Sequence, residues 1–378
     1  MEDKNNPFYG EIYRGPKFFC DRKEETKQLS EYIVNGVNVT LFAKRRLGKT
    51  GLLHHLFYKH RNNTNMVCIY ADILATNNLA DFTNHIATAV YNAFPPQKTM
   101  GKKIMELFQR FRPVISFDEL TGSPSLSLTL STHEQKNNTI GNILSFLDSH
   151  NIKIVFAIDE FQQILTYPEK NTEALLRTYI QQLKNTSFIF CGSNQKMMHE
   201  IFNSAKRPFF ASCTNMSIEA ISEVEYKKFI KKHFNNAGRT INDECLNFIC
   251  DWTQLHTFYI QYFCYTLFAL NKNNNGIEEA KTAAQTILKL NEPTFYQYKN
   301  LLTESQWKFL IAVGKETKVY QPNAKKFINT HQLGTPSTVT RSLEALITKE
   351  MLFHNTGVAQ PYYEVYDKYL MRWIQAKY

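Results

Sequence analysis

The feature that most constrains this chain is a Gly-Lys-Thr turn between a short apolar strand and a helix. The turn is Ala43-Lys44-Arg45-Arg46-Leu47-Gly48-Lys49-Thr50, and Gly51 follows it. It departs from the phosphate-binding pattern Gly-x-x-x-x-Gly-Lys-Ser/Thr only at its first position. A loop of this kind curls its backbone N–H groups around phosphates at a helix N-terminus. Residues 43–51 therefore predict a nucleotide-binding site, and a plain basic turn is the alternative.

Each position of this loop has a predicted task. Lys49 would reach the outer phosphates, and the hydroxyl of Thr50 would bind Mg²⁺. Glycine is usual at the position of Ala43, because it tolerates positive φ and lets the backbone approach the phosphates closely. We expect the alanine to weaken nucleotide binding mildly rather than abolish it.

A second element supports the loop. Residues 152–158 are nearly all apolar and rich in β-branched side chains, which is typical of a parallel strand covered on both faces. The strand ends in Asp159 and Glu160. Asp159 would help to hold the metal, and Glu160 would polarise the attacking water as a general base. The alternative is a buried strand that happens to be followed by an acidic loop.

A third predicted strand, residues 187–192, is followed by Ser193 and Asn194. At this position a polar side chain would bond the γ-phosphate or the attacking water, so both residues are candidates for a catalytic sensor. A Ser-Asn pair after a strand is also an ordinary N-cap of a helix. The sequence leaves the two interpretations open.

Bulk composition limits the class of protein. The chain has 378 residues, 43 % hydrophobic and 21 % charged, which predicts two or three globular domains and no membrane span. The polar N-terminus is unlike a signal peptide, and the seven scattered cysteines indicate reduced thiols in the cytoplasm. The net charge of +10 favours an anionic partner, although solvated lysines produce the same number.

Strand and helix patterns alternate through residues 1–215, which predicts an α/β core with a mostly parallel sheet between helices. The four predicted strands are residues 37–42, 66–72, 152–158 and 187–192. Asp21 is the expected N-cap of the first helix, and another helix is predicted for residues 139–149. Residues 114–130 interrupt the alternation and predict a β-hairpin that turns at Thr121-Gly122-Ser123-Pro124.

Helix-periodic segments replace strands after Ile218, so residues 216–300 predict a helical lid domain. Residues 301–378 predict three helices and a hairpin, which together make a winged helix-turn-helix domain. In a DNA reader, Ser337, Thr338, Thr340 and Arg341 would face the major groove. One arginine is few for phosphate contacts, so DNA contact and a structural or protein-contact role both remain open.

These segments together resemble the archaeal-type ATPase family, P-loop NTPases of the STAND and AAA+ neighbourhood. The resemblance is carried by Asn6-Pro7-Phe8, Phe19-Cys20-Asp21-Arg22-Lys23-Glu24-Glu25, Arg45-Arg46-Leu47-Gly48-Lys49-Thr50, Ile158-Asp159-Glu160-Phe161-Gln162, Cys191-Gly192-Ser193, Arg207-Pro208-Phe209-Phe210 and the segment from Tyr366 to Trp373. It implies ATP and Mg²⁺ as ligands, and it implies that Asp21 and Arg22 pack beside the adenine. A Gly-x-Pro turn common in the lid of relatives is replaced here by Leu255-His256-Thr257.

The expected function is that of a slowly hydrolysing ATPase that acts as a nucleotide-dependent switch. A DNA-binding regulator that uses its P-loop core as a scaffold is one alternative, and a protein-interaction platform that holds ADP permanently is another. Arg207 would act as an arginine finger only in an oligomer; otherwise it belongs to a solvated basic turn.

Overall fold

The computed structural model describes residues 6–8, 13–94, 99–117, 122, 124–130, 132–149 and 151–378. The described residues form two compact units. Residues 13–220 make up the first, called here the sheet unit, and residues 6–8 with 221–378 make up the second, the helical unit. The predicted core boundary at residue 215 lies close to this division, whereas the segments predicted as lid and winged helix share one unit.

The sheet unit alternates strands and helices as predicted. Its elements are α1 (Lys23–Val34), β1 (Val39–Ala43), α2 (Lys49–His60), β2 (Met66–Asp72), α3 (Leu79–Ala93), α4 (Thr99–Gln109), β3 (Val114–Phe117), β4 (Pro124–Ser127), α5 (His133–Asp148), β5 (Lys153–Asp159), α6 (Thr172–Ile180), β6 (Thr186–Gly192), α7 (Gln195–Asn203) and β7 (Thr214–Ile218). Five strands form one parallel sheet in the order β2-β5-β6-β1-β7. The predicted α/β architecture is confirmed.

The central strands are buried on both faces, which explains their continuous apolar sequences. Successive side chains of a strand point to opposite faces. Leu41 and Val155 therefore pack in one hydrophobic cluster with Leu53 of α2. Their chain neighbours Phe42 and Phe156 pack in the other cluster, together with residues of α3, α5 and α7. Helices thus cover both faces of the sheet.

Several local expectations are corrected. The fifth strand, β7, was not predicted; it is an edge strand beside β1, and three of its five residues are polar. Asp21 does not cap α1, because the N-cap position is Arg22 and both residues have positive φ, 51° and 62°. Helix α5 begins six residues earlier than expected, since Thr132 and Gln135 form a capping box there.

The predicted hairpin is present as β3 paired with β4, while its turn residues Thr121 and Ser123 lie outside the described residues. Three polar side chains spaced four apart on α3 bond to the backbone of β4 and of Leu128, the residue that follows it. Asn84 accepts from Leu128 N, Thr88 accepts from the N–H of Leu126 and donates to its carbonyl, and Asn92 donates to Pro124 O. Helix α3 thus supplies the hydrogen bonds that a neighbouring strand would otherwise supply.

The helical unit consists of α8 (Glu223–Asn236), β8 (Thr240–Ile241), α9 (Asp243–Thr253), α10 (Thr257–Ala269), β9 (Asn274–Asn275), α11 (Ile277–Asn300), α12 (Glu304–Glu316), α13 (Lys325–His331), α14 (Pro336–Thr348), β10 (Leu352–Asn355), β11 (Tyr362–Val365) and α15 (Lys368–Lys377). Helices α12 to α14 and the antiparallel β10–β11 wing form the predicted winged helix. The short parallel pair β8–β9 and the final helix α15 were not predicted. Among the described helices, none combines the length and apolar character that a membrane crossing requires.

Candidate functional site

The phosphate-binding loop runs from the end of β1 to the start of α2. Ala43 is the last residue of β1, pairs in register with Ile218 of β7, and has no positive φ. Within the loop, positive φ falls instead on Arg46 (65°) and Gly48 (93°). The missing glycine is therefore accommodated as ordinary strand backbone. No side chain caps α2 at Gly48, so the N–H groups of its first turn have no side-chain cap to compete with an anion.

The two loop residues predicted to bind phosphate and metal converge on one carboxylate. Lys49 Nζ lies 2.8 Å from Asp159 Oδ1, and the Thr50 hydroxyl donates to Asp159 Oδ2 over 2.8 Å. Lys49 and Asp159 are both buried. The loop and the acidic end of β5 thus form one site, as parallel strands ending at a common edge require.

Burial by itself would lower the pKa of Lys49, but the negative charges around it, that of Asp159 first, and the hydrogen bond to Asp159 together outweigh burial and hold this pKa above its ordinary value. Burial by itself would likewise raise the pKa of Asp159, but the Lys49 charge and two side-chain hydrogen bonds hold it below its usual range. The pair is therefore ionised at neutral pH, and the buried ammonium is available to a phosphate.

Glu160 stands beside this pair in a left-handed backbone conformation, with φ at 57°. One of its oxygens, Oε1, lies 3.8 Å from Lys49 Nζ. The other, Oε2, accepts from the Ser193 hydroxyl (2.7 Å), the Ser193 N–H (3.2 Å) and Gln162 Nε2 (2.5 Å). These donors fix the orientation of the carboxylate, and Oε1 is left facing the loop lysine.

The position of Ser193 follows from the strand order. Because β6 lies between β1 and β5, the residue after β6 comes between the loop and the two acids. Asn194 is differently placed, because its side chain accepts from Met197 N and caps α7. This is the N-cap that the sequence offered as the alternative to a sensor. Ser193 is the member that touches Glu160, and a sensor role for either residue stays a prediction.

Three residues for which no role was predicted contribute to the site. The Tyr70 hydroxyl donates to Asp159 Oδ2 over 3.1 Å, and burial together with the Asp159 charge raises the pKa of Tyr70. Gln162 is buried and holds Glu160. Gly192 has no side chain, and this allows the Gln162 side chain to pack against it, since a Cβ at position 192 would overlap Gln162 Oε1. A tyrosine two residues before the end of a strand was the one available signal.

The remaining predicted residues lie around the loop. Arg45 and Arg46 are exposed, and Lys44 is partly buried. Arg22 is only 2 % exposed, and its guanidinium donates to Leu47 O over 3.1 Å, so it contacts the phosphate loop from within.

The basic turn after α7 has internal partners. Arg207 pairs with Glu173 (3.2 Å) and with Glu200 (2.5 Å) inside the sheet unit. A finger role would require Arg207 to leave both carboxylates.

A magnesium ion fits the oxygen atoms of the site. The Thr50 hydroxyl and the Asp159 carboxylate are hard oxygen donors held 2.8 Å apart, and Mg²⁺ typically takes one or two protein ligands and keeps several waters. The described residues contain no group of three or more His, Cys, Asp or Glu side chains that could hold a metal, so an all-protein cage is not formed there.

Comparisons with known proteins agree with this fold. Residues 19–253 match the family described as an ATPase domain predominantly from Archaea, and residues 293–376 match a probable winged helix domain. Comparison with curated proteins yields no match.

Solved structures share the fold over nearly the whole chain. The Walker-type ATPase PABY2304 of Pyrococcus abyssi is 13 % identical, with 98 % of this chain and 99 % of that chain covered and a TM-score of 0.66. The Aeropyrum pernix ORC2 protein, solved as ADPNP–ADP complexes, is 12 % identical, with coverages of 99 % and 98 % and a TM-score of 0.60. The Aeropyrum pernix ORC1 protein in complex with DNA is 10 % identical, with coverages of 98 % and 96 % and a TM-score of 0.52.

The family match covers more than half of the chain. It includes the phosphate-binding loop, Asp159 and Glu160, and strand β6, which lies between β1 and β5 in the sheet. The chain therefore belongs to the family of ATPase domains found predominantly in Archaea.

Proposed function

We propose that this protein binds ATP with Mg²⁺, hydrolyses it slowly, and uses the nucleotide state as a switch. The observation that carries the proposal is the convergence of Lys49 and Thr50 on Asp159, with Glu160 beside them. Phosphoanhydride hydrolysis needs a cation that binds the phosphates, oxygen ligands that hold a metal, and a second carboxylate that orients the attacking water.

Each group has a distinct proposed role. Loop residues 43–51 would cradle the phosphates, and the Lys49 ammonium would exchange part of its contact with Asp159 for a phosphate oxygen. Thr50 and Asp159 would hold Mg²⁺, which would neutralise charge on the phosphates. Glu160 would orient the attacking water through Oε1, because Oε2 is occupied by three donors. A carboxylate with one oxygen committed elsewhere is consistent with slow turnover.

The switch part of the proposal rests on Ser193. Its hydroxyl bonds to Glu160 at the tip of β6, where a γ-phosphate or the attacking water would compete for it. Loss of the γ-phosphate would then be sensed at the end of a strand in the middle of the sheet. We propose that this change alters the helical unit, which carries the winged helix.

Steady-state ATP hydrolysis with Mg²⁺ tests the proposal, with nucleotide affinity measured by calorimetry. Lys49→Ala should remove nucleotide affinity and turnover, and Glu160→Gln should keep affinity and lose turnover by on the order of a hundredfold or more. Lys59→Ala, which removes an exposed lysine of the same helix, is the matched control and should change neither. Wild-type affinity in Lys49→Ala would contradict the assignment of the site.

A second candidate is contact with DNA through the winged helix. It is favoured by the exposure of Ser337 and Arg341 near the start of α14, the second helix of the helix-turn-helix. The ORC1 protein, which shares this fold, was solved in complex with DNA. Binding of duplex DNA that weakens with salt and with Arg341→Ala would support this function, and binding without an ATP response would favour a regulator over a switch.

A further inference from the structure

Arg22 is a buried arginine at the start of α1. Its side chain is 3 % exposed, and its guanidinium has three partners. Nη1 donates to Glu25 Oε1 and to Glu219 O, both at 2.6 Å, and Nη2 donates to Leu47 O at 3.1 Å. Arginine suits this position because its planar fork offers several donors in fixed directions and stays charged.

The contact with Leu47 fixes one peptide of the phosphate loop. Leu47 stands between two residues with positive φ, Arg46 and Gly48, at the tightest part of the loop. A trans peptide is planar, so its C=O and the following N–H point in opposite directions. By holding the Leu47 carbonyl, Arg22 sets the direction of the Gly48 N–H, which is one of the donors expected to bind phosphate.

The contact with Glu219 ties the same guanidinium to the end of the sheet unit. Strand β7 ends at Ile218, and the sheet unit ends at Ala220, so Glu219 belongs to the last backbone before the chain enters the helical unit. One side chain therefore bonds both the phosphate loop and the segment through which the chain leaves the unit.

The backbone at Arg22 is also held in an unusual state. Asp21 and Arg22 are consecutive non-glycine residues with positive φ, 51° and 62°. The Arg22 carbonyl accepts from both the N–H and the hydroxyl of Thr26. Such backbone persists only where the surroundings determine it, and it is often found at switches and ligand-binding sites.

We propose that Arg22 is a positioning residue that orients the Gly48 N–H for phosphate and transmits the state of the loop to the chain exit at Glu219. This assignment replaces a direct contact of Arg22 with adenine, and it rests on the proposed nucleotide function. Phosphate binding at the loop shifts the Leu47 peptide, Arg22 follows it, and the bond to Glu219 changes with it.

The test uses the full chain, with ADP affinity from calorimetry and hydrogen exchange at residues 219–222 with and without ADP. In Arg22→Gln we expect ADP to bind about tenfold more weakly, since an oriented donor to a charged group is lost, and we expect the ADP-dependent change in exchange to disappear. Arg372→Gln is the matched control: Arg372 is partly buried and, like Arg22, donates to two backbone carbonyls, here those of Trp252 and Asp251 in the helical unit. It should leave both readouts unchanged.

A second variant keeps Arg22 and tests the same contact in case Arg22→Gln does not fold. Glu25→Gln removes the carboxylate partner of the guanidinium, and it should weaken ADP binding and reduce the exchange change to a smaller extent than Arg22→Gln. If the wild type fails to bind ADP, the proposed function and this inference both fail. If the wild type binds ADP but shows no change in exchange at residues 219–222, the inference alone is refuted. It is also refuted if Arg22→Gln matches the wild type in both readouts. If Arg22→Gln does not fold, Glu25→Gln takes its place in this comparison.

Discussion

Gly192→Ala is a small change with a defined consequence for the site. Gly192 is the last residue of β6, and a Cβ placed there would overlap Gln162 Oε1 and lie 2.6 Å from Met198 Cγ. Gln162 would have to move, and it is the residue whose Nε2 donates to Glu160 Oε2. The added methyl group therefore acts on Glu160 without changing any group that would touch the nucleotide.

The expected magnitudes follow from the packing. Inserting a methyl group into a close-packed interior costs about 1–3 kcal/mol. In a unit of roughly 200 residues, each kcal/mol lowers the melting temperature by about 2–4 °C. Turnover should fall further than stability suggests, because a misplacement of about 1 Å at a catalytic group can cost on the order of a hundredfold. We expect turnover to decrease by about ten- to a hundredfold.

The assay compares steady-state ATP hydrolysis and thermal unfolding of wild type, Gly192→Ala and Gly141→Ala. Gly141 lies in α5 of the same unit, and a Cβ there would come within 2.5 Å of the Tyr179 ring. The control therefore also introduces a steric conflict, partly offset by about 1 kcal/mol of helix propensity. It has no contact with Glu160, so its turnover should equal that of the wild type.

Gly192→Ala, folded at the assay temperature, should not hydrolyse ATP at the wild-type rate if Gln162 orients Glu160; a wild-type rate refutes that link. Gln162 would then have no part in orienting Glu160. A fall in turnover of the same size in Gly141→Ala would instead assign the effect to general destabilisation of the unit.

Three further predictions concern other contacts. Tyr70→Phe removes the hydroxyl that donates to Asp159 Oδ2 but keeps the ring; we expect half-maximal turnover to need a severalfold higher Mg²⁺ concentration, measured by titration with Mg²⁺. Burial, aided by a nearby lysine, lowers the pKa of His55 and His60, so below about pH 6.5 the unfolded chain binds protons that the folded chain does not. The melting temperature should therefore fall between pH 7.5 and 5.5, and His55→Gln should make that fall smaller. Leu346→Ala empties a fully buried position in the winged helix and should cost about 2–5 kcal/mol in urea unfolding, and a loss below 1 kcal/mol would contradict the packing there.

Local chemistry made much of this protein predictable from its sequence. The loop around Lys49 and the apolar run ending at Asp159 are both patterns of neighbouring residues, and the carboxyl ends of parallel strands lie at a common edge of the sheet. The contacts of Tyr70 and Gln162 could not be predicted in the same way. They depend on which strands are neighbours, and strand order is set by tertiary packing.

Dependence on tertiary packing also explains why the N-cap of α1 was predicted wrongly and why strand β7 was not predicted. Asp21 has the side chain of a good N-cap, but the backbone at Asp21 and Arg22 turns left-handed so that Arg22 reaches Leu47 and Glu219. Strand β7 is short and half polar, and it is stabilised by its register with β1 rather than by its own sequence. In both places a long-range contact outweighs local propensity.

The polar side chains of α3 that bond along β4 have a consequence for the behaviour of the protein at high concentration. A strand with an open edge is a template on which another molecule can pair and aggregate. Asn84, Thr88 and Asn92 occupy that edge of β4 with fixed hydrogen bonds, so recruitment of a foreign strand would first have to displace a helix of the same molecule. The β4 edge of the hairpin is thus protected from self-association by a helix of the same unit.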